Sequence, residues 1–259
     1  MVKQTKKVYQ ASKITTTVAS GEYLMKVDAN GKVTIISLDN LKTSIYGGMN
    51  MNAIEDGIFI MFHRNSDNYP LMVKPHKWPS YQSSGEIAEG VVIVEGGKIL
   101  VVAPTETALT WSSAAVSGGA TTTTDRITAM NDWAGRANTT AIIAHSTSSA
   151  ITNTSSYAPG YCNNYSRVNA NSQGMTAGKW WLPSLGEMMM IYANMTKVNY
   201  ALSLINGADQ LQETWYWTST ESSATNAWYL HLSSGYVNYS YGPKASGTYR
   251  VRAVSAFLY

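Results

Sequence analysis

Histidine, cysteine and carboxylate side chains carry most enzymatic and metal chemistry, and this chain places few of them close together. The histidines stand far apart, and none has the spacing of a metal ligand or of a base beside a nucleophile: His63, His76, His145 and His231. Cys162 is the single cysteine, so an internal disulfide is excluded, and its setting GYCNNY predicts an inert thiol. Glu187 and Glu221 have simpler interpretations as a helix cap and as a turn or buried hydrogen-bond acceptor. We therefore predict no enzymatic activity, no cofactor and no catalytic metal.

Tyrosine and serine concentrate in residues 216–249, which hold six tyrosines and seven serines. Threonine, glycine and asparagine add nine residues, so five residue types supply 22 of these 34 positions. Antibody loops use the same residue types, because tyrosine offers a large, rigid contact while serine, glycine and asparagine adapt around it. This composition favours the recognition of another molecule.

The strand AWYLHLS inside this region predicts which side chains are displayed. Successive side chains of a strand point to opposite faces. The core set is expected to be Trp228, Leu230 and Leu232. The outward set is expected to be Tyr229, His231 and Ser233. Two interpretations stay open. The tyrosines form an ordinary amphipathic sheet surface, since aromatic residues favour strands, or they form an exposed patch that marks an interaction site.

The elements that must position this region follow an α+β pattern. Two β runs are predicted in GEYLMKVDANGKVTIISLDNL, around the hairpin signal Asn30-Gly31, and the region from about Gly47 to Thr105 is expected to be mostly β, with a second hairpin turn at Gly96-Gly97. A first helix is predicted from Asp125 to about Arg136, capped by Thr124 or Asp125, with four candidate inward side chains: Ile127, Met130 and Trp133 or Ala134. A second helix follows in LPSLGEMMMIYANM, where Ser184 as N-cap and Glu187 three residues later predict a capping box, and short strands close the chain.

Charge and hydropathy exclude two classes of partner. The net charge is only +3 and the basic residues are scattered apart from Lys3, Lys6 and Lys7, which argues against a nucleic-acid groove. No run reaches the ~20 apolar residues of a membrane span. The first residues lack the apolar segment of a signal peptide, so we expect synthesis in the cytoplasm without one.

Several motifs of the second half occur in the order typical of a known family. GKWWLPSLGEMMMIY is followed by YWTSTE, NAWYLHLSSGYV and YRVRAV, and DWAGRANTTAII and APGYCNNY precede them. From about Ala108 to Tyr259 the chain resembles the C-type-lectin-like variable proteins of diversity-generating retroelements, whose subfold is that of formylglycine-generating enzymes. The resemblance implies a C-terminal C-type-lectin-like domain with two helices and short antiparallel strands, preceded by a mostly β N-terminal region.

In that family a reverse transcriptase copies a template with errors at adenines, so that asparagine codons become codons for tyrosine, serine and similar residues. The resemblance implies that the diversified, ligand-binding positions here are Ser222, Ser223, Ala224, Thr225, Tyr229, His231, Ser233, Tyr236, Asn238, Tyr239, Ser240, Tyr241, Ala245, Ser246 and Tyr249. It implies that the fixed framework is Trp217, Trp228, Gly235, Val237, Arg250, Val251, Arg252 and Ala253. Pro243 fits either group. Because residues 216–249 hold one acid, Glu221, calcium-dependent sugar binding is not expected.

Three segments are expected: a β-rich attachment segment (1–45), a small β region (46–107) and the ligand-binding domain (108–259). We expect a homotrimeric receptor-binding protein at a phage tail tip, part of the virion, that attaches to a protein or glycan receptor on the host cell. A bacterial surface or secreted adhesin of the same fold is the alternative. A formylglycine-generating-type oxidase is a third possibility, and the single cysteine argues against it.

Overall fold

The computed structural model describes residues 23–27, 33–37, 55–145, 153–240 and 242–256. The chain divides into two compact units, Met1–Ile54 and Glu55–Tyr259. In the first unit, β1 (Tyr23–Val27) pairs antiparallel with β2 (Val33–Ser37). These two strands confirm the pairing predicted on either side of Asn30-Gly31.

One sheet of eight strands organises the described part of the second unit. Its strands, in chain order, are β3 (Gly57–His63), β4 (Pro70–Val73), β5 (Gly90–Glu95), β6 (Lys98–Leu109), β9 (Trp215–Glu221), β10 (Ala227–His231), β11 (Tyr236–Asn238) and β12 (Tyr249–Ser255). The spatial order is β11-β10-β9-β12-β6-β5-β3-β4. All neighbours run antiparallel except β9 and β12, which are parallel. A separate pair, β7 (Arg167–Val168) and β8 (Gly174–Met175), completes the described strands.

The predicted boundary at residues 107/108 falls inside β6, and residues on both sides of it share the large sheet. β6 hydrogen-bonds to β5 on one side and to β12 on the other, so the small β region and the C-terminal residues fold against each other. The β5–β6 hairpin turns at Gly96 and Gly97, whose φ values of 55° and 75° are left-handed. Glycine reaches this region without the steric penalty of a Cβ, which is why the predicted Gly-Gly turn forms here.

Six α-helices occur among the described residues: α1 (Trp78–Ser83), α2 (Arg126–Met130), α3 (Gly135–Ala144), α4 (Ala158–Asn164), α5 (Leu185–Ala193) and α6 (Met195–Ser203). The helix predicted over 125–136 is interrupted, because the Asp132 carboxylate accepts hydrogen bonds from the Ala134 backbone N–H at 2.9 Å and the Asn138 amide at 2.8 Å. Asp125 caps α2 as predicted, accepting from Thr128 N–H at 2.7 Å.

The expectation that Ile127 faces inward is wrong, since its side chain is 62% exposed. Within the short α2 only Ala129 is buried. The capping box of α5 is confirmed: Ser184 caps the helix, and the Glu187 carboxylate accepts from the Ser184 N–H at 2.9 Å.

The core lies between the sheet and the helices α5 and α6, and it mixes aliphatic with aromatic side chains. Apolar residues of β3, β5, β9 and β10 meet apolar residues of both helices there. The structure is therefore α+β with a large, mostly antiparallel sheet. The strands β9 to β12 present a second face away from this core.

Candidate ligand-binding face

The alternation predicted for β10 is present, but both of its faces are covered. Trp228 and Leu230 belong to the main core, as expected. Tyr229 points to the opposite face, yet its side chain is only 3% exposed. The expectation that Tyr229 lies in solvent is therefore wrong, because another layer of the chain covers it.

Aromatic rings from four strands meet on that opposite face. We call this set the aromatic cluster: Trp215, Trp217, Tyr229, His231, Tyr236 and Tyr249. The register explains the grouping, since Tyr229 pairs with Trp217 while His231 pairs with Trp215 on β9 and with Tyr236 on β11. Residues directly opposite each other in antiparallel strands bring their side chains into contact.

Trp215 is the centre of the cluster and Tyr249 closes it. The Trp215 ring centre lies 4.9 Å from Tyr229 and 4.5 Å from His231, both edge-on. Tyr249 lies 4.5 Å from Trp217 and 5.0 Å from Tyr229. The two edge-on pairs of Trp215 add about 0.5–1.5 kcal/mol each beyond the area they bury. Burial raises the pKa of Tyr249.

Residues 242–248 cover the inner part of the aromatic cluster, and we call them the covering segment. A Cβ at Gly242 would lie 2.6 Å from Tyr229 ring atoms, and one at Gly247 would lie 3.1 Å from Trp217. Both glycines therefore let the backbone pass directly over the rings. Tyr241 lies outside the described residues.

Lys244 anchors the covering segment from below. Its ammonium is fully buried and pairs with the equally buried Glu221 carboxylate. It also donates to the carbonyl oxygens of Val116 and Ser223, both at 3.0 Å, and of Ala224 at 3.2 Å. The ammonium lies 4.5 Å from the centre of the Trp111 ring. Burial lowers the pKa of Lys244 and the Glu221 carboxylate opposes that shift.

Glu221 joins this anchor to a third segment of the chain. Its two carboxylate oxygens accept from the Gly118 N–H at 2.7 Å and the Ala120 N–H at 2.8 Å. The prediction of a buried hydrogen-bonding role for Glu221 is confirmed. Through this pair, residues 116–120, the loop 222–226 and the covering segment are fixed to one another.

The predicted framework residues have identifiable mechanical roles. The buried Arg252 guanidinium pairs with Glu106 at 2.6 Å and donates to the Ala103 carbonyl at 2.9 Å. The Tyr216 hydroxyl donates to the same carboxylate at 2.7 Å. Gly235 has a φ of 68°, and a Cβ there would lie 2.6 Å from the Tyr192 ring, so no other residue fits without rearrangement.

The predicted ligand-binding positions fall into four groups. Exposed side chains are Ala224, Thr225, Ser233, Tyr236, Ser240, Ala245 and Ser246. Half-buried ones are Ser223, His231, Asn238, Tyr239 and Tyr249. Ser222 and Tyr229 are buried. Tyr241 lies outside the described residues. Most of the exposed and half-buried positions form two patches, one on the loop 222–226 with the covering segment and one on the β10–β11 hairpin with Tyr249. Tyr239 instead packs against Trp228 of the main core, with 4.7 Å between the ring centres.

Sequence reasoning missed two residues that hold this face together, Trp215 and Lys244. The Trp-x-Trp spacing of Trp215 and Trp217 could have placed both rings on one side of β9. Lys244 and Glu221 are the only charged residues of 216–249. A lone acid and a lone base in an otherwise neutral stretch are a usable signal for a buried pair.

Comparisons with known proteins add little to this geometry. No protein-family model matches the chain, and no curated protein matches it. A crystal structure of a fimbrial protein from Bacteroides ovatus is similar at 16% identity with a TM-score of 0.49. The similarity covers 78% of this chain and 49% of that protein, so the chain spans about half the length of its neighbour.

Two searches of the described residues concern metals and membranes. Within these ranges, no three His, Cys, Asp or Glu side chains converge in a group that could hold a metal ion. None of the helices described is both long enough and apolar enough to cross a bilayer.

Proposed function

We propose that this protein binds a receptor on another cell through the outward side chains of the two patches. The observation that carries the proposal is the layered construction of the face. A buried aromatic cluster and a buried ion pair hold the backbone, while the residues above them are small, hydroxylated or aromatic and point into solvent. Seven of the predicted positions are exposed in this way.

This construction suits a surface whose side chains change without loss of the fold. Exposed substitutions away from special features change stability by less than about 0.5 kcal/mol. The covering segment has its backbone fixed through Lys244 and its two glycines, so Ala245 and Ser246 are open to replacement. The residues that cannot change, such as Gly235 and Arg252, lie beneath or beside the displayed ones.

We propose further that a retroelement diversifies this face and that the protein acts at a phage tail tip, as a homotrimer, in attachment to a host cell. The ordered motifs from GKWWLPSLGEMMMIY to YRVRAV support this. Three copies would raise a weak single-site affinity by avidity. A bacterial surface or secreted adhesin with the same face is the alternative, and both proposals take the chain to be a binding protein without enzymatic activity.

The genomic setting separates these two proposals. A diversifying retroelement requires a reverse transcriptase gene and a near-copy of the DNA that encodes residues 216–249, with adenines at the displayed positions. Neighbouring tail genes favour the virion. Secretion genes beside the coding sequence, without such a repeat, favour the adhesin and contradict diversification.

Binding itself is tested with the fluorescently labelled full chain and a panel of intact bacterial strains. The variant Ala245→Glu/Ser246→Glu adds two charges to one patch, and the control Ser80→Glu/Ala193→Glu adds two charges at exposed positions elsewhere. We expect cell-bound fluorescence to fall at least about tenfold in the first variant, as for charges placed in an interface, and to stay unchanged in the control. Absence of binding to every strain, or equal binding by both variants, contradicts the proposal.

A further inference from the structure

Three surface depressions follow one another along α2 and the turn into α3. The first, of about 500 Å³, lies between α2 and the β10–β11 turn and is lined by Arg126, Ile127 and Tyr236. The second, of about 350 Å³, lies between α2, α5 and the β5–β6 turn. The third, of about 620 Å³, runs along α3. Met130 lines the first two and Trp133 the last two, so the three depressions adjoin one another, and together we call them the α2 groove.

The α2 groove gathers most of the exposed apolar side chains of the described residues. Among the described residues, four large hydrophobic side chains are exposed. Three of them line the groove: Ile127 at 62%, Tyr236 at 53% and Trp133 at 38%. The fourth, Tyr200, lies on α6. A soluble protein rarely leaves adjoining apolar side chains in water unless they form an interaction site.

The side-chain types of the groove favour a polypeptide as the occupant. Tryptophan, tyrosine, methionine and arginine are the types enriched in protein–protein interfaces, and the groove contains all four. Met130, Met189 and Met190 line the second depression, where flexible thioethers adapt to apolar side chains of different shape. A glycan would call for many hydrogen-bonding side chains, whereas this lining is mainly apolar.

The charges of the groove define the kind of polypeptide. Its lining holds three cations, Arg126, Lys98 and Arg136, and one carboxylate, Glu95. Glu95 already accepts a hydrogen bond from the Asn194 amide at 2.7 Å. Two further carboxylates lie beside the lining: Asp125 accepts from the Thr128 N–H and hydroxyl, and Asp56 accepts from the Gly96 N–H at 3.4 Å.

Aromatic neighbours hold two of these cations in place. The Lys98 ammonium lies 4.2 Å from the centre of the Trp133 ring, and the Arg136 guanidinium lies 5.9 Å from that of Trp181. Such contacts keep a cation on an aromatic surface while its charge still faces outward. The groove therefore combines apolar depressions with three exposed cations, which outnumber the single carboxylate of its lining.

We propose that the α2 groove binds an acidic polypeptide segment whose apolar side chains enter the depressions and whose carboxylates meet Arg126, Lys98 and Arg136. This inference rests in one respect on the proposed function, because Tyr236 belongs both to the patch on the β10–β11 hairpin and to the lining of the α2 groove. The partner is a protein with an extended acidic stretch.

The test selects peptides from a random displayed dodecapeptide library on the full-length chain. We expect enrichment of aspartate or glutamate together with leucine or phenylalanine. A synthetic peptide of the selected sequence is then titrated by fluorescence polarisation against two charge reversals, Arg126→Glu in the groove and Lys197→Glu, which is exposed on α6 outside it. Affinity is expected to fall at least about tenfold for the first and less than about twofold for the second. The affinity for the unaltered chain should also decrease with added salt.

Three outcomes overturn the inference. If the selected peptides are not enriched in aspartate or glutamate, the cations of the groove do not select the ligand. If both charge reversals weaken peptide binding equally, the effect comes from the overall charge of the chain. Binding of anionic glycans on an array, lost in Arg126→Glu while no peptide is enriched, assigns the groove to a different class of partner. Failure here is distinguishable from failure of the proposed function, because Ala245→Glu/Ser246→Glu alters cell binding at positions outside the groove.

Discussion

The two halves of the eight-stranded sheet are built from different side chains. In β5 the run Val91–Val94 is aliphatic and buried on both faces; its partners on β6 are also aliphatic, while those on β3 include Phe59. In β9 and β10 the buried residues are mostly aromatic or hydroxylated. Their second face is closed by seven residues of the covering segment. The aliphatic half is buried on both faces, whereas the aromatic half supports a layer that is open to solvent.

This difference shows how a changeable surface is kept apart from the fold. Large rings fill the space under an irregular segment, because each ring contacts several neighbours at once. Hydrogen bonds from Lys244 fix the backbone of that segment without using its outward side chains. Variation at the outward positions therefore leaves the contacts below unchanged.

The largest expected effect concerns Tyr229, which would be dispensable if the aromatic half were only a display surface. Tyr229→Ser removes a ring that is 3% exposed and contacts Trp215, Trp217 and Tyr249. Loss of a buried aromatic ring lowers the free energy of unfolding by about 3–5 kcal/mol. Urea unfolding monitored by tryptophan fluorescence measures it, with Tyr200→Ser on the exposed α6 surface as the control. A loss below about 1 kcal/mol would show that the ring is not structural.

A slightly smaller effect is expected at the anchor. Lys244→Met leaves the Glu221 carboxylate buried without its cation, and removal of one partner from a buried pair costs about 3–5 kcal/mol. The backbone N–H groups of Gly118 and Ala120 still donate to that carboxylate, so we expect the lower end of this range. The double variant Lys244→Met/Glu221→Gln should recover part of the loss, and thermal unfolding compares the three proteins. If the single variant is as stable as the parent chain, the anchor has no mechanical role.

The pH dependence of stability tests a residue on the helix side of the core, the buried capping residue Glu187 of α5. Burial raises the pKa of Glu187 from 4.5 to about 7, and the nearby Asp132 carboxylate adds to the shift. The folded state thus binds the proton more tightly than the unfolded state, and the free energy of unfolding falls as the pH rises from about 4.5 to 7. Such a rise in pKa corresponds to about 3 kcal/mol. Glu187→Gln should flatten this part of the profile in urea titrations at several pH values, and an unchanged slope would assign the dependence to other groups.

The smallest expected effect is at Tyr236, which is 53% exposed at the edge of the same aromatic cluster. Tyr236→Ser should change the free energy of unfolding by less than about 0.5 kcal/mol, while it reduces the binding of cells or of the selected peptide. Comparison of Tyr229→Ser with Tyr236→Ser therefore separates the ring that stabilises the fold from the ring that contacts a ligand. Comparable stability losses in both variants would remove that division.

Local signals in the sequence were sufficient for the elements with strong capping or turn chemistry. Ser184 with Glu187 predicted the start of α5, and Gly96-Gly97 predicted the β5–β6 turn. The break between α2 and α3 was missed, because it depends on the Asp132 side chain bonding to Asn138 and to the distant Thr220. The exposure of Ile127 was missed as a consequence of this break. It shortens α2 to five residues, and so short a helix has no long inward face.

The sequence by itself determined the composition of the face and its alternating strands. It also determined the positions where a turn requires glycine and where a helix start requires a capping residue. These features depend on residues close together in the chain, where pattern and local hydrogen bonding decide the conformation. Only the tertiary structure decided that Tyr229 is buried while Tyr236 is exposed, and that Lys244 meets Glu221. Strand alternation tells which side of a sheet a side chain takes, but whether that side meets solvent depends on which distant segment folds over it.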